Sequence, residues 1–183
     1  EELLRGYSFK ITSLVDHPGS PRIIENGKTF RENAVKKAVK IAKFTKKLTL
    51  GEDSGLCVDF LGGKPGIYSS RFAGGAKDDA ANNRKLLRLL GGVPLKKRKA
   101  GYVCAVAIAD EEGLVGVVEG QCRGLIGLHL RGDAGFGYDP LFVIPKYNKT
   151  FAQLGTKVKH KMSHRFRALR KARKVLLRCL GSA

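Results

Sequence analysis

The apolar and polar positions divide the chain into short extended runs and a few helical stretches. From Thr29 to Phe44, Phe30, Ala34, Ala38, Ile41 and Ala42 recur on one helical face, while the lysines fall largely on the other. Ser163 is a suitable N-cap for a last helix whose apolar face is Phe166, Leu169, Ala172, Leu176 and Leu180. Asp78 or Asp79 caps a third helix that runs to Leu90 and ends at Gly91-Gly92. Tyr102 to Ala109, rich in small and β-branched residues, reads as a buried strand. Asp110–Gly113 turns it into Leu114–Glu119, Gln121–Leu130 continues the sheet, and Leu141–Ile144 adds a short strand. Glu1–Arg5 reads as the tail of a helix stopped by Gly6, and Phe9–Ser13 as a weakly alternating strand. The Pro- and Gly-rich stretch from 14 to 28, Gly62–Gly66 and Gly132–Pro140 are loops, and Lys96–Lys99 is a basic loop. The order of strands and helices gives an α/β protein with a mixed sheet and helices, without internal repeats.

Leu48–Glu52 and Leu56–Phe60 are expected as two short strands around a turn that carries Glu52, Asp53, Ser54 and Gly55. Neighbouring strand residues point to opposite faces, so Glu52 and Asp53 cannot work side by side. One of them can face a divalent cation such as Mg²⁺, which takes hard oxygen ligands and binds one or two carboxylates plus substrate phosphates. The alternative is a polar hairpin.

Three further segments can carry chemistry. Thr29-Phe30-Arg31-Glu32 fits a capping box in which Thr29 bonds the Glu32 N–H and Glu32 reaches back. A metal-binding role for Glu32 competes for the same carboxylate. Gly135-Phe136-Gly137-Tyr138-Asp139-Pro140 places two aromatics among glycines, where they can stack on a flat ligand, with Asp139 as an acceptor for ring N–H groups. Aromatics packed into the core around a tight turn are the plainer reading. Lys159-His160-Lys161-Met162-Ser163-His164-Arg165 lies across a helix start, where cations and backbone donors make an anion site and His164 and Arg165 can bond a base edge.

Composition narrows the classes. A chain of 183 residues, 43% hydrophobic, suits one domain or one domain with two lobes. No apolar run approaches the ~20 residues that span a bilayer, and the start Glu1-Glu2-Leu3-Leu4-Arg5 lacks the features of a signal peptide. Cys57, Cys104, Cys122 and Cys179 are widely spaced, which argues against zinc and for the reduced thiols of a cytoplasmic protein. The net charge of +19 calls for an anionic partner. A nucleotide needs a handful of cations, whereas nucleic acid uses many.

Taken together, the chain resembles the Ham1 family of inosine/xanthosine triphosphate pyrophosphatases. The likeness rests on Thr29–Ala34 with Lys37-Ala38, Glu52–Asp59, Gly62–Gly74, Asn82 with Leu86-Leu87, Gly135–Pro140 and Ser163-His164-Arg165, in order from about residue 25 to 170. It implies two α/β lobes around a long mixed sheet, with the nucleotide in the cleft between them, and as partners Mg²⁺, a purine nucleoside triphosphate and a second copy of the chain. It implies hydrolysis of ITP, dITP or XTP to the monophosphate and pyrophosphate by attack of water on the α-phosphorus. Glu32 and Asp53 match metal positions, and Asp53, with Glu52 beside it, matches the group that orients or deprotonates the water. Ser54, Phe136, Gly137, Tyr138, Asp139, Lys159, His164 and Arg165 match substrate-binding positions. A basic nucleic-acid-binding protein on the same scaffold is the competing expectation. Three departures accompany the likeness. The chain starts after the family's first strand and its Ser/Thr-x-Asn-x-x-Lys phosphate loop, so a fragment or shortened copy with weak catalysis is expected. Gln153 replaces the usual Glu. Lys157 and Val158 replace the acids before Lys159, and His160 replaces Asn.

Overall fold

The computed structural model describes residues 2–4, 10–75 and 77–181. Four helices, α1 (Phe30–Thr45), α2 (Asp79–Leu89), α3 (Phe151–Met162) and α4 (His164–Gly181), accompany five strands. These are β1 (Thr49–Val58), β2 (Lys99–Ala109), β3 (Leu114–Ile126), β4 (Phe142–Ile144) and β5 (Lys149–Thr150), which join in that order in one sheet. The class is α/β, as expected. Among the described strands the pairing is antiparallel, where the resemblance implies a mixed sheet.

The chain divides into two compact units: residues 1–53, 104–120 and 167–183, and residues 54–103 and 121–166. In the first unit β2 is apolar on both faces. Ala105, Ala107 and Ala109 receive Ala34, Ala38 and Ala42 of α1. Cys104, Val106 and Ile108 receive Ala168, Ala172 and Leu176 of α4. Strand alternation puts these two sets on opposite faces, and the i, i+4, i+8 spacing puts each helical triplet on one stripe. The contact with α1 is made of very small side chains. A Cβ added at Gly51 would lie 2.4 Å from the Ala34 carbonyl oxygen and 2.5 Å from the Ala38 nitrogen. The second unit has its own core, built from Leu56, Val58, Leu86, Leu90, Tyr102, Leu141, Phe142 and Phe151.

Several sequence expectations are corrected. The pair of strands around a carboxylate turn is one unbroken strand, β1, and Gly55 is a buried strand residue inside it. The short strand expected at Phe9–Ser13 is absent from 10–13, and Phe9 lies outside the described residues. At the start only a 3₁₀ turn, Glu2–Leu4, is described; Glu1 and Arg5 lie outside the described residues. β3 stops at Ile126, short of Leu130. Helix α3 was not expected. Thr150 and Gln153 form its capping box, with the Gln153 N–H donating to Thr150 Oγ1 and the Thr150 N–H to Gln153 Oε1. Gln at that position does what Glu would do in the cap. Gly155, at φ 73°, breaks the helix between its two halves. The basic loop is not uniformly solvated: Arg98 is buried and donates to the carbonyls of Val93, Leu90 and Gly127 at 2.8, 2.7 and 3.0 Å. The expected last helix is α4, with the side chain of Leu180 outside the described residues. The four cysteines are thiols, and no helix among the described residues is long and apolar enough to cross a membrane.

Gly51→Val tests the α1–β1 contact. The added side chain meets helix backbone, which cannot rotate away, so a loss of about 2–3 kcal/mol is expected in urea unfolding. An unchanged midpoint would show that the helix can withdraw without cost.

Candidate active site

In the first unit the acidic centre is Asp53. Its side chain is 13% exposed. Lys37 Nζ donates to Oδ1 and Asn33 Nδ2 to Oδ2, both at 3.1 Å. Asn33 and Lys37 are one turn apart on α1 and therefore share a face. Asn33 is held in turn by the Gly27 N–H, which donates to its Oδ1 at 2.8 Å. Lys37 also reaches Glu25 Oε2 at 2.8 Å and the Glu52 carbonyl oxygen at 2.9 Å. The carboxylate of Glu52, one residue along the strand, projects to the other face.

Burial raises the Asp53 pKa, and the opposing pull of Lys37 and Asn33 does not cancel it. Burial also disfavours the charge on Lys37, yet Glu25 and Asp53 together outweigh it and raise the Lys37 pKa. Glu32 lies at the start of α1. Its N–H donates to Thr29 Oγ1 at 3.1 Å, as the capping box requires, but its carboxylate accepts from the Lys28 N–H at 2.8 Å rather than from Thr29. The cap is therefore one residue wider than expected. No group of three or more His, Cys, Asp or Glu suited to a metal is found among the described residues.

In the second unit the centre is a buried ion pair. Asp139 is 1% exposed, and Lys159 Nζ donates to its Oδ2. The Phe136 N–H donates to the same oxygen at 3.1 Å, and the Tyr102 hydroxyl approaches Oδ1 at 3.5 Å. Asp139 is thus engaged by the protein's own donors rather than turned outward. Phe136 is the exposed aromatic, at 60%, with Lys159 Nζ 4.1 Å and Arg165 Cζ 6.0 Å from its ring centroid. Tyr138 is buried and its hydroxyl donates to the Ser69 carbonyl at 2.8 Å. Burial, helped by the nearby Asp79 charge, pushes the Tyr138 hydroxyl well up. His164 is buried and stacks on Tyr102 at 4.8 Å. Arg165 Nη2 donates to Ser54 Oγ at 3.3 Å. Gly137 holds a left-handed φ of 63° with open space around it, so the backbone conformation is what calls for glycine there.

The structure thus gathers Asp53 with Asn33, Lys37 and Glu25, and Asp139 with Lys159, Phe136 and Tyr102. Asn33 and Lys37 were legible as an i, i+4 pair following Glu32. Nothing in the sequence links Tyr102 to Asp139.

The Ham1 family model matches residues 1–175, and the chain belongs to the Ham1 family. It is 50% identical over 177 residues to the dITP/XTP pyrophosphatase of Desulforamulus reducens, covering 97% of this chain and 88% of that one. It is 49% identical to the dITP/XTP pyrophosphatase of Rhodopirellula baltica, over 96% of this chain and 85% of the other. Among solved structures, a HAM1 protein from Coxiella burnetii superposes with a TM-score of 0.90 at 37% identity, covering 97% and 90% of the two chains. The Staphylococcus aureus Ham1 protein superposes with a TM-score of 0.87 at 37% identity, covering 96% and 89%.

The Asp53 shift makes a prediction about stability. Its folded pKa lies above the free value of 3.8, so the folded state holds the proton more tightly than the unfolded state. Stability from this group is present below the free pKa and falls as pH rises through the folded pKa; ionised Asp53 costs stability at neutral pH. Asp53→Asn is expected to melt at pH 7 between wild-type Tm and about 4 °C above it. The gap should close as pH falls toward 4. A lower Tm for the variant at pH 7 would show that the charge stabilises the fold.

Proposed function

We propose that this protein hydrolyses non-canonical purine nucleoside triphosphates, ITP, dITP and XTP, to the monophosphate and pyrophosphate. The observation that carries the reading is the near-full-length likeness to proteins named dITP/XTP pyrophosphatase. The side-chain chemistry supports it. Water attacks the α-phosphorus, the bond from that phosphorus to the bridging oxygen of the β-phosphate breaks, and pyrophosphate leaves. Asp53 orients the water and accepts its proton. A carboxylate whose pKa is lifted by burial is a better base than an ordinary surface Asp. Lys37 and Asn33 fix its rotamer, and Glu52 is a neighbouring acid on the strand.

The donor set fits Mg²⁺. Asp53 and Glu32 offer hard carboxylate oxygens, and each carboxylate has about four acceptor sites, of which the described hydrogen bonds use one or two. Both would hold the ion together with substrate phosphates. When bound, Mg²⁺ neutralises phosphate charge and polarises the attacked group.

On the base side, Phe136 offers a flat surface for the purine, and Lys159, Asp139 and Tyr138 hold the loop that carries it. Ser54 and Gly137 complete the contacts expected of this set. His164, Arg165 or a nearby backbone N–H donates to the 6-keto oxygen of hypoxanthine or xanthine. Adenine presents an amino group there and would leave the donor unpaired. A cytoplasmic homodimer goes with this reading.

The test is pyrophosphate release from ITP, dITP, XTP, GTP and ATP in Mg²⁺. ITP is expected to exceed ATP in kcat/KM by at least about a hundredfold. Asp53→Asn should lower kcat about a thousandfold, and Glu32→Gln should shift the Mg²⁺ titration to higher concentration. Equal efficiency on ATP and ITP would sink the base reading, and wild-type turnover by Asp53→Asn would remove Asp53 from the chemistry.

A separate observation favours a second activity, nucleic-acid binding. Helix α4 carries no Asp or Glu. Its exposed Arg167, Arg170, Lys171, Lys174 and Arg178 follow an i, i+3, i+4, i+7, i+11 row, opposite the buried Ala168, Ala172 and Leu176. A row whose apolar side is already buried has nothing to insert into a bilayer, and its cations suit a phosphate backbone. Contacts from all five would give log Kobs against log salt a slope of about −4.5 with duplex DNA. Fluorescence anisotropy of a labelled oligonucleotide between 50 and 200 mM salt reads it directly. Arg170→Glu with Lys174→Glu should abolish the binding, and affinity indifferent to both changes would eliminate this row as the surface.

A further inference from the structure

The loop that presents Phe136 is held from below by a helix that sequence reasoning left out of the site. Asp79 and Asn83 are one turn apart on α2 and face the same way. The Gly137 N–H donates to Asp79 Oδ2 at 2.6 Å, and Asn83 Nδ2 donates to the Gly137 carbonyl at 2.8 Å. Both polar groups of one residue's backbone are therefore clamped by two side chains of a single helix. The clamp is itself tied together, because Asn83 Nδ2 also donates to the Asp79 carbonyl at 2.9 Å. Asn83 is 5% exposed, and its Oδ1 has no hydrogen-bond partner. The two carbonyls require the amide to point its nitrogen at them, which leaves the oxygen buried without a donor. A side chain kept in that arrangement serves the loop better than it serves the core.

The rest of the loop is fixed at separate points. Asp139 takes the Phe136 N–H, and the Tyr138 hydroxyl reaches Ser69. What remains outward is the Phe136 ring. We propose that Asp79 and Asn83 are positioning residues for the purine base, which act by locking the Gly137 backbone and so the direction of the Phe136 ring. This rests on the base-stacking role given to Phe136 above. Neither side chain is assigned contact with substrate. Their effect is on the entropy and aim of the surface that the base meets, and loss of the clamp should appear in binding of the base and not in the chemical step.

The experiment uses Asp79→Ala, Asp79→Asn and Asn83→Leu in the full chain. Asp79→Ala and Asn83→Leu should raise KM for ITP about tenfold with kcat within about twofold of wild type. Asp79→Asn keeps a carbonyl oxygen that accepts from Gly137 and should restore most of the affinity. Asn83→Leu removes a buried unpartnered oxygen but also the donor to the Gly137 and Asp79 carbonyls, so its Tm should fall modestly while kcat per folded molecule holds and KM rises, a split that a purely structural role would not produce. A second readout needs no turnover. The chain has no Trp, so Phe136→Trp supplies a single fluorophore at the ring in question. Adding Asp79→Ala or Asn83→Leu to it should lower its anisotropy and increase quenching by acrylamide. Unchanged KM and unchanged quenching would overturn the clamp, as would parallel losses of kcat and folded fraction. If the wild-type chain fails to hydrolyse ITP, the pyrophosphatase reading falls and the quenching result alone decides whether α2 holds the loop.

Discussion

The acidic centre of the first unit depends on how closely α1 lies on β1. Gly51 admits the backbone of the helix at Ala34 and Ala38, and no other residue type would leave that space. Side chains on the adjoining helical positions, Asn33 and Lys37, then need span only a short gap to reach Asp53. A larger residue at Gly51 or Ala38 would lift the helix, and the two donors would lose the carboxylate together. The same approach accounts for the composition of the core here. Ala34, Ala38 and Ala42 meet Ala105, Ala107 and Ala109, so little apolar area is gained per contact, and close packing has to supply the rest through dispersion. A core built for proximity rather than for volume is what a fixed polar group at its margin requires.

The second unit solves a different problem. Asp139 is almost fully buried, and an ion withdrawn from water is tolerated only when its partners are complete. Lys159 supplies the opposite charge, and Phe136 and Tyr102 supply donors. A well-packed apolar pair of the same volume would stabilise the fold as well or better, so stability alone does not explain the choice. The pair does fix relative positions. It links the loop at 135–139 to α3, and it sets the Lys159 ammonium over the face of the Phe136 ring. There the ammonium, already paired with Asp139, makes a cation–π contact with the exposed ring. The break at Gly155 belongs to the same arrangement. Its left-handed φ re-aims the second half of α3, the half that carries Lys159.

Much of this was legible because local rules and the final fold agree. The helix from Thr29 and the last helix follow from a 3.6-residue period with small residues on the buried face, and their caps stand where Thr29 and Ser163 put them. The strand from Tyr102 is readable because it is apolar on both faces. The failures share one cause. Gly55 beside two acids has the local signature of a turn, yet β1 runs through it, because an unbroken hydrogen-bond ladder with its one described strand neighbour, β2, outweighs what a glycine gains from bending. Helix α3 was hidden by Gly155 and a run of cations, although Thr150-x-x-Gln153 is a capping signature and was readable. Of the site, Asp53 and the aromatic loop were visible as motifs. The partners that fix them, Tyr102 to Asp139 and Asp79 to Gly137, are far apart in sequence, and no periodicity records such a pairing.

The cations divide by what they touch. Lys37, Arg98 and Lys159 are held in place by named acceptors, two of them by carboxylates and Arg98 by three backbone carbonyls. Arg123 makes a two-pronged contact with Asp59 at the surface, a type worth little to stability unless its geometry is held. Lys36, Lys40, Lys85 and Lys171 also reach named acceptors, and the net charge is +19. A surplus of this size costs folding free energy through self-repulsion and lowers it least at high ionic strength. Part of it lies on the acid-free outer row of α4, a helix anchored by Ala168, Ala172 and Leu176, where Lys171 also donates to the Glu119 carbonyl. The neutral side of that helix serves the core, and Arg167, Arg170, Lys171, Lys174 and Arg178 are exposed on the other side.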